Sequence, residues 1–177
     1  LRIEDTDAKR EVENGISKII NSLKIFGIEF DEGVTGENTE TGKFGPYKQS
    51  ERKDIYAIFA KHLIETGKGY VCFMTTEEID ATRKSQELSK ERPGIYGKWA
   101  KYRDADYESI KSLLEDGKNF VVRIKASGDG STKSEYMDLI RGKISITSND
   151  VDYVLLKSDG LPTYHFAHAI DDYLMRT

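Results

Sequence analysis

The sequence of 177 residues is poor in cysteine, in long apolar runs and in excess positive charge. Cys72 is its single cysteine, so the chain can form neither an internal disulfide nor a cluster of cysteine ligands. No apolar run is long enough to span a bilayer, and an opening rich in Asp and Glu does not have the chemistry of a signal peptide. The net charge of -4 argues against a general nucleic-acid binder. These absences predict a cytoplasmic protein without membrane contact.

Motifs for nucleophilic catalysis and for resident metals are also missing. The sequence has no Ser/His/Asp or Cys/His motif, and the turn at residues 128–130 lacks the Gly-Lys-Ser/Thr order of a phosphate loop. His165 and His168 are three residues apart, but no further ligand cluster joins them. Asp171 and Asp172 could help to bind Mg²⁺, although charge or packing at a helix end is the commoner use of such residues. We therefore expect no resident metal.

Positive charge is concentrated in one segment, residues 82–103, which we call the basic run. It holds seven basic and two acidic residues, a net charge of +5, and Tyr96, Trp99 and Tyr102 are interleaved with the cations. Cations bind phosphates, and aromatic rings stack on bases or pack on sugars. The basic run is therefore a candidate RNA-binding segment, and the alternative is a solvated loop on an otherwise acidic protein.

The first part of the chain has the pattern of an α/β unit. Residues 1–3 alternate like a strand, residues 5–7 have helix N-cap chemistry, and apolar residues then recur at helical spacing. Residues 31–45 are rich in Gly, Thr, Asn and Glu and predict a loop, residues 50–66 predict a second helix, and residues 70–74 predict a strand. This order of elements favours a parallel sheet.

The middle of the chain differs in pattern from both ends. A capping box opens a helix at residues 75–78, residues 92–103 look irregular, residues 107–114 predict a short helix, and residues 120–125 and 143–147 predict strands. We therefore expect an insertion over residues 73–147 with its own small sheet. Residues 154–156 then predict a buried strand, followed by a turn and a helix that begins near Pro162.

Polar residues at the first strand-to-helix junction could bind a ligand. Open α/β sheets bind ligands where a strand ends and a helix begins. Glu4 could hold an ammonium group and Arg10 a phosphate. The alternative is that Asp5 and Asp7 only cap the following helix, which is the commoner use of such residues.

A second junction follows the predicted strand at residues 154–156. Tyr164 and His165 begin a helix there and could meet the first junction across a crevice. The alternative is a β-turn with a packed tyrosine.

Five motifs, in order along the chain, resemble one family. They are LRIEDTD at residues 1–7, GPYKQSER at 45–52, TTEE at 75–78, LIRG at 139–142, and residues 154–164 together with DD at 171–172. Each is similar to a motif of the bacterial glutamyl-tRNA synthetases. Two of these matches are eight residues or longer, and the five lie in the same order across essentially the whole chain.

The resemblance implies a class I synthetase with an α/β fold: an incomplete Rossmann-like parallel sheet interrupted by an inserted α+β acceptor-binding domain. Residues 1–72 and 148–177 would belong to the catalytic domain, and residues 73–147 to the insertion. The family activates glutamate with ATP and Mg²⁺ and transfers it to the 3′ end of tRNA. The implied partners are tRNA-Glu, glutamate and ATP, and the implied state is a monomer.

The resemblance also implies roles for single residues. Glu4 would bind the ammonium group of glutamate, Tyr164 would line the amino-acid pocket, and His168 falls near a pocket position that varies within the family. The residues implied to bind tRNA lie in two groups. Thr6, Asp7, Arg10 and Lys157 would meet the CCA end or its phosphates, and Lys98, Lys101 and Arg103 in the basic run would lie against the acceptor stem.

The sequence departs from the family pattern at several points. It lacks both ATP signature motifs, it begins at Leu1 rather than Met, and it stops within an amphipathic stretch, so we expect an excerpt that is inactive alone. Some members bind zinc through several cysteines of the insertion; with Cys72 alone, we expect no zinc. Two alternatives stay open: a non-catalytic acceptor-binding module, and the short paralogue that glutamylates a modified base of tRNA-Asp.

Overall fold

The computed structural model describes residues 1–7 and 12–177, so the predicted site residue Arg10 lies outside the described residues. The chain forms two compact units. Residues 1–59 and 159–177 make up the first unit, and residues 60–158 make up the second. The division into domains 1–72, 73–147 and 148–177 concerns the full-length protein and stays a prediction.

The described residues form five α-helices and seven short strands. In chain order they are α1 (Gly15–Ile25), β1 (Gly33–Gly36), β2 (Thr39–Thr41), α2 (Lys53–Glu65), β3 (Gly69–Cys72), α3 (Thr76–Leu88), α4 (Tyr107–Glu115), β4 (Val121–Ile124), β5 (Lys133–Asp138), β6 (Gly142–Thr147), β7 (Val154–Leu156) and α5 (Tyr164–Met175). Two 3-10 helices, Gln49–Arg52 and Gly97–Trp99, precede α2 and α4. Within the described ranges, every helix is too short or too polar to cross a membrane.

The sheets differ from the predicted parallel sheet. In the described residues they are three, with orders β1-β2, β3-β4-β7 and β5-β6, and every strand pair in them is antiparallel. Parallel pairing occurs at an isolated bridge between Ile3 and Lys48. Alternation of helices and strands does not determine strand direction, so the Rossmann-like parallel sheet stays a prediction for the full-length protein. The segment between β3 and β4 contains two helices and returns β4 antiparallel to β3.

Three strands, β1, β2 and β5, were absent from the sequence prediction. Residues 31–45, predicted as a loop, contain the β1–β2 hairpin, and β5 pairs with β6 along its whole length. All residues of β2 are exposed, and β5 is exposed except at Asp138. Neither strand buries one face, so neither carries the alternation of apolar and polar residues that reveals a strand in a sequence.

The predicted helix cap at residues 5–7 is also wrong. The described helix α1 begins at Gly15, and its N-cap residue Asn14 has a left-handed backbone with φ of 56°. Asp5 instead accepts hydrogen bonds from the backbone N–H and the hydroxyl of Ser50, at 2.8 and 2.6 Å. Asp5 therefore joins the opening segment to the 3-10 helix before α2.

Other predicted helix ends are confirmed. Thr75 and Glu78 form the reciprocal capping box at the start of α3. Gly67 follows α2 with φ of 70°, a conformation that favours glycine, and Gly160 has φ of 78° in the predicted turn before α5.

The carboxylate of Asp171 is the buried polar centre of the first unit. It is fully buried on α5 and accepts hydrogen bonds from Gln49 Nε2 at 2.9 Å, Arg52 Nε at 2.8 Å and the Tyr56 hydroxyl at 2.8 Å. Burial raises the pKa of Tyr56, and the hydrogen bond to Asp171 raises it further, so the hydroxyl stays a donor. Arg52 also donates to the carbonyl of Pro46 at 2.8 Å. One carboxylate therefore joins α5, the 3-10 helix and α2.

Asp152 has the same function in the second unit. It is fully buried and accepts from the Tyr70 hydroxyl and the Ala126 backbone N–H, each at 2.9 Å, and from Arg103 Nη1. Arg103 Nη2 donates to the carbonyl of Ala126 at 2.7 Å, and Arg123 Nη1 donates to the carbonyl of Asp152 at 2.8 Å. Because burying a charge is costly unless it is paired, these donors are necessary to the fold of this unit.

Replacing Asp171 with Asn should destabilise the chain strongly. The substitution leaves the buried Arg52 guanidinium without a counter-charge, and breaking a buried ion pair costs roughly 3–5 kcal/mol. Urea unfolding followed by circular dichroism measures this loss. Asp172→Asn is the matched control, since that neighbouring carboxylate is 37% exposed and should cost below about 1 kcal/mol. Equal losses for the two variants would contradict the assignment of Asp171 as the buried centre.

Replacing Arg103 with Gln should also lower stability. Its side chain is 22% exposed and pairs with the fully buried Asp152, so its removal should cost on the order of 3 kcal/mol. Lys98→Gln, in the same basic run but 67% exposed, should change the free energy of unfolding by less than about 1 kcal/mol. A loss of stability in Lys98→Gln but not in Arg103→Gln would contradict the structural role assigned to Arg103.

Candidate functional site

One face of α5 presents three polar or aromatic side chains at four-residue intervals. Tyr164, His168 and Asp172 follow this spacing, which places them above one another along the helix. The side chains of His168 and Asp172 are 41% and 37% exposed, and Tyr164 is 52% exposed. The neighbouring face, with Phe166, Ala167, Ile170 and Asp171, is buried. Helix α5 thus buries one face and presents a stripe of accessible polar side chains on the neighbouring face.

The opening segment contributes Arg2 and Glu4, which are two residues apart in extended chain and therefore point to the same side. Arg2 Nη1 donates to Asp172 Oδ1 at 2.8 Å, and Arg2 Nη2 lies 3.0 Å from His168 Nδ1. Glu4 Oε1 lies 3.1 Å from the same Nδ1 and 3.7 Å from Arg2. We call Arg2, Glu4, Tyr164, His168 and Asp172 the Glu4 cluster.

The His168 ring contacts the other four members of the Glu4 cluster. Its Nε2 lies 3.3 Å from Asp172 Oδ2, and its plane stacks on the Tyr164 ring with centroids 5.3 Å apart and an angle of 25°. His165 meets the edge of Tyr164 at 5.2 Å. The site therefore combines an aromatic wall, an imidazole, a guanidinium and two accessible carboxylates. Such a set can bind a small zwitterion, with a carboxylate facing the ammonium group.

The structure brings together Glu4, Tyr164 and His168, the three residues predicted to bind glutamate; their roles in binding stay a prediction. It adds Arg2 and Asp172, which were not among the predicted binding residues. The signal for both was present in the sequence. Arg2 is two residues before Glu4 in a strand-like segment, and Asp172 is four residues after His168 in a helix.

The described residues predicted to meet the CCA end belong to both units. Thr6 is half-buried and Asp7 is exposed in the opening segment of the first unit. Lys157 is half-buried and directly follows β7 in the second unit. Their contacts with tRNA stay a prediction.

Five of the seven basic residues of the basic run pair with carboxylates of the second unit. Lys98 Nζ lies 2.6 Å from Glu91 and 4.9 Å from the Trp99 ring centroid. Lys101 Nζ lies 2.7 Å from Glu78. The hydrogen bond from Lys98 lowers the pKa of Glu91, and the one from Lys101 lowers the pKa of Glu78. Both lysines are more than half exposed, whereas Arg103 serves the buried Asp152.

The described residues contain no group of three or more His, Cys, Asp or Glu side chains placed to hold a metal. Cys72 is buried in β3. Asp171 and Asp172, considered above as Mg²⁺ ligands, instead pair with arginines.

The sequence matches a family profile along its whole length. Residues 1–177 match the catalytic domain of class I tRNA synthetases for E and Q. Similar proteins include the glutamate–tRNA ligases of Clostridium perfringens (strain SM101 / Type A), 52% identical over all 177 residues, and of Acetivibrio thermocellus, 49% identical over 176 residues. The chain spans about a third of their length, 32% in both cases.

Solved structures of similar proteins agree in fold with the whole chain. A glutamate tRNA ligase from Elizabethkingia meningosepticum, in complex with its amino acid, superposes with a TM-score of 0.83 at 37% identity. The glutamate–tRNA synthetase of Elizabethkingia anophelis gives a TM-score of 0.81 at 36% identity. Each match covers 99% of this chain and 35% of the other. The family match over all 177 residues therefore assigns the chain to the class I tRNA synthetases for E and Q, as part of their catalytic domain.

Proposed function

We propose that the protein containing this chain is a glutamate–tRNA ligase, which activates glutamate with ATP and Mg²⁺ and transfers it to the 3′ end of tRNA-Glu. ATP and Mg²⁺ enter this reaction as substrates. The observation that carries the proposal is the Glu4 cluster, an accessible polar site in a chain of this family. The amino-acid complex of the Elizabethkingia meningosepticum enzyme supports it, because that enzyme resembles this chain over 99% of its length.

In the proposed glutamate complex, Glu4 pairs with the ammonium group of the amino acid. Its side chain is 35% exposed, so a ligand can reach the carboxylate. Tyr164 forms an exposed aromatic wall beside His168, and both would limit the volume in which the amino acid lies. The geometry favours an amino acid as the ligand. The accessible carboxylate of Glu4 can pair with an ammonium group, and the guanidinium of Arg2 lies behind that carboxylate.

For tRNA, we propose that Thr6, Asp7, Arg10 and Lys157 meet the CCA end and that residues 73–147 form the acceptor-binding insertion. The exposed Lys98 and Lys101 support this placement, whereas Arg103 would contribute by holding the second unit together. We further propose that the parent protein completes a Rossmann-like parallel sheet. The bridge between Ile3 and Lys48 supports it as a parallel contact between two segments of the first unit.

Charging of tRNA-Glu with labelled glutamate by the full-length enzyme tests the proposal directly. Formation of a glutamyl ester at the 3′ end of tRNA-Glu is the expected result. Modification of a base in tRNA-Asp instead would identify the short paralogue, and binding of tRNA without any transfer would identify a non-catalytic module.

In the full-length enzyme, Glu4→Gln should raise the KM for glutamate about tenfold, which corresponds to ~1.4 kcal/mol. The amide keeps the shape of the carboxylate but loses the charge that faces the ammonium group, and hydrogen bonds to charged groups are the stronger ones. Steady-state kinetics measures the effect, with little change expected in the KM for ATP.

Glu51→Gln is the matched control for Glu4→Gln. Glu51 is an exposed carboxylate of the same unit and lies 3.9 Å from Lys48. It should leave both Michaelis constants unchanged. A raised KM for ATP with an unchanged KM for glutamate would assign Glu4 to the wrong substrate.

Neutralising Lys98 and Lys101 together should weaken tRNA binding and reduce its salt dependence. Each lost phosphate contact lowers the slope of log affinity against log salt by about 0.7–0.9. Because both lysines already pair with carboxylates, phosphate binding exchanges one partner for another, and their loss should not unfold the chain. Filter binding of the Lys98→Gln/Lys101→Gln enzyme over a range of salt concentrations measures the slope.

The control for this pair is Lys24→Gln/Lys61→Gln, which removes two exposed lysines outside the basic run. It should leave the slope close to that of the wild type. Equal slopes for both double variants and the wild type would show that the basic run is a solvated loop.

A further inference from the structure

The two neighbours of His168 Nδ1 require opposite protonation states of that nitrogen. Arg2 is a donor only, and an ionised Glu4 is an acceptor only, yet they lie 3.0 and 3.1 Å from the same ring nitrogen. A ring nitrogen that carries hydrogen satisfies the carboxylate and opposes the guanidinium. A ring nitrogen with a free lone pair satisfies the guanidinium and opposes the carboxylate. The Glu4 cluster therefore cannot satisfy both neighbours of Nδ1 at once.

Asp172 limits His168 to two states. Its Oδ2 lies at an ion-pair distance of 3.3 Å from Nε2, while its Oδ1 accepts from Arg2 at 2.8 Å. Because a carboxylate oxygen can only accept, its proximity favours hydrogen on Nε2 in both states. In the neutral state Nδ1 accepts from Arg2, and Glu4 loses its partner on the ring. In the protonated state Nδ1 donates to Glu4, and the positive ring faces the positive Arg2.

A ligand ammonium group on Glu4 would resolve this conflict. It would replace the ring as the partner of Glu4, and its charge would repel a protonated His168. The neutral ring, with Nδ1 accepting from Arg2 and Nε2 donating to Asp172, then satisfies every group. Among the described residues, the charged side chains that face the ring are Arg2 and Glu4 from the opening segment and Asp172 from α5, and the titratable Tyr164 of α5 stacks on it. Behind them, the buried Asp171 lies 3.8 Å from Arg2 Nε.

We propose that Arg2 and Asp172 are positioning residues that hold His168 neutral, with its hydrogen on Nε2, when the amino acid is bound. Binding of glutamate expels the Nδ1 proton of the protonated form to solvent. This proposal rests on the proposed function, because it requires an ammonium group on Glu4. Binding of glutamate is then coupled to the loss of a proton from His168. Glutamate should therefore bind more weakly at low pH.

Titration calorimetry of the full-length enzyme with glutamate tests the proposal. At about pH 6, where an ordinary histidine is partly protonated, comparing two buffers of different ionisation enthalpy counts the protons released. Glutamate itself does not titrate near that pH. The wild type should release a measurable fraction of one proton per glutamate, and the dissociation constant should rise as the pH is lowered.

His168→Asn and His168→Gln should both release none, since neither side chain takes up a proton, and their affinity should lose this pH dependence. His62→Asn is the matched control. It removes an exposed histidine of α2 and should release as many protons as the wild type. Release by the His168 variants equal to that of the wild type would overturn the proposal, as would a wild type that releases none.

Arg2 variants separate positioning from a purely structural role. Arg2→Met removes the cation that opposes the protonated ring, so the free enzyme should hold more protons and release more per glutamate. Arg2→Lys keeps the charge and should restore release toward the wild-type value. If Arg2→Met binds glutamate and releases as many protons as the wild type, the role of Arg2 is refuted, whereas that of His168 is not. Complete absence of glutamate binding by the wild type would overturn the proposed function as well.

Discussion

The first unit depends on one buried carboxylate, that of Asp171. Three donors from the 3-10 helix and α2 converge on it within 2.9 Å, and its own helix is α5. A buried charge is tolerated only when such donors surround it, so these contacts have little freedom to rearrange. The rotation of α5 about its axis is therefore set by Asp171. Every side chain on the exposed stripe of α5 takes its position from that rotation.

Adjacent positions of α5 have different functions as a result. Successive helical residues point about 100° apart, so Asp171 faces inward while Asp172 lies on the accessible stripe. Arg2 links the two, because it lies 3.8 Å from Asp171 and donates to Asp172. Through Arg2, the network that stabilises the unit also orients the Glu4 cluster. A change in the buried network would therefore reach the candidate site even though Asp171 itself has no exposed atoms.

In the second unit, the net charge of the basic run in the sequence overstates the positive charge that is free to bind a partner. The basic run has a net charge of +5 in the sequence. In the folded chain Arg103 is needed by the buried Asp152, and Arg92, Lys98 and Lys101 each pair with a carboxylate. Three of the four carboxylates, those of Glu78, Asp150 and Asp152, lie outside the run. Pairing reduces the local potential, so an RNA phosphate would have to displace existing partners.

The sequence alone determined the family, the places of helices α2 to α5, and the strands β3, β4, β6 and β7. These depend on motifs, caps and local spacing, which are properties of neighbouring residues. It also indicated Glu4, Tyr164 and His168 as one candidate site. Tertiary structure decided the antiparallel pairing of the sheets, because strand direction depends on the path of long connections. It also decided that Asp5 contacts Ser50, that Arg103 serves Asp152, and that Arg2 and Glu4 meet at one nitrogen of His168. Those contacts join residues far apart in the chain, so only packing brings them together.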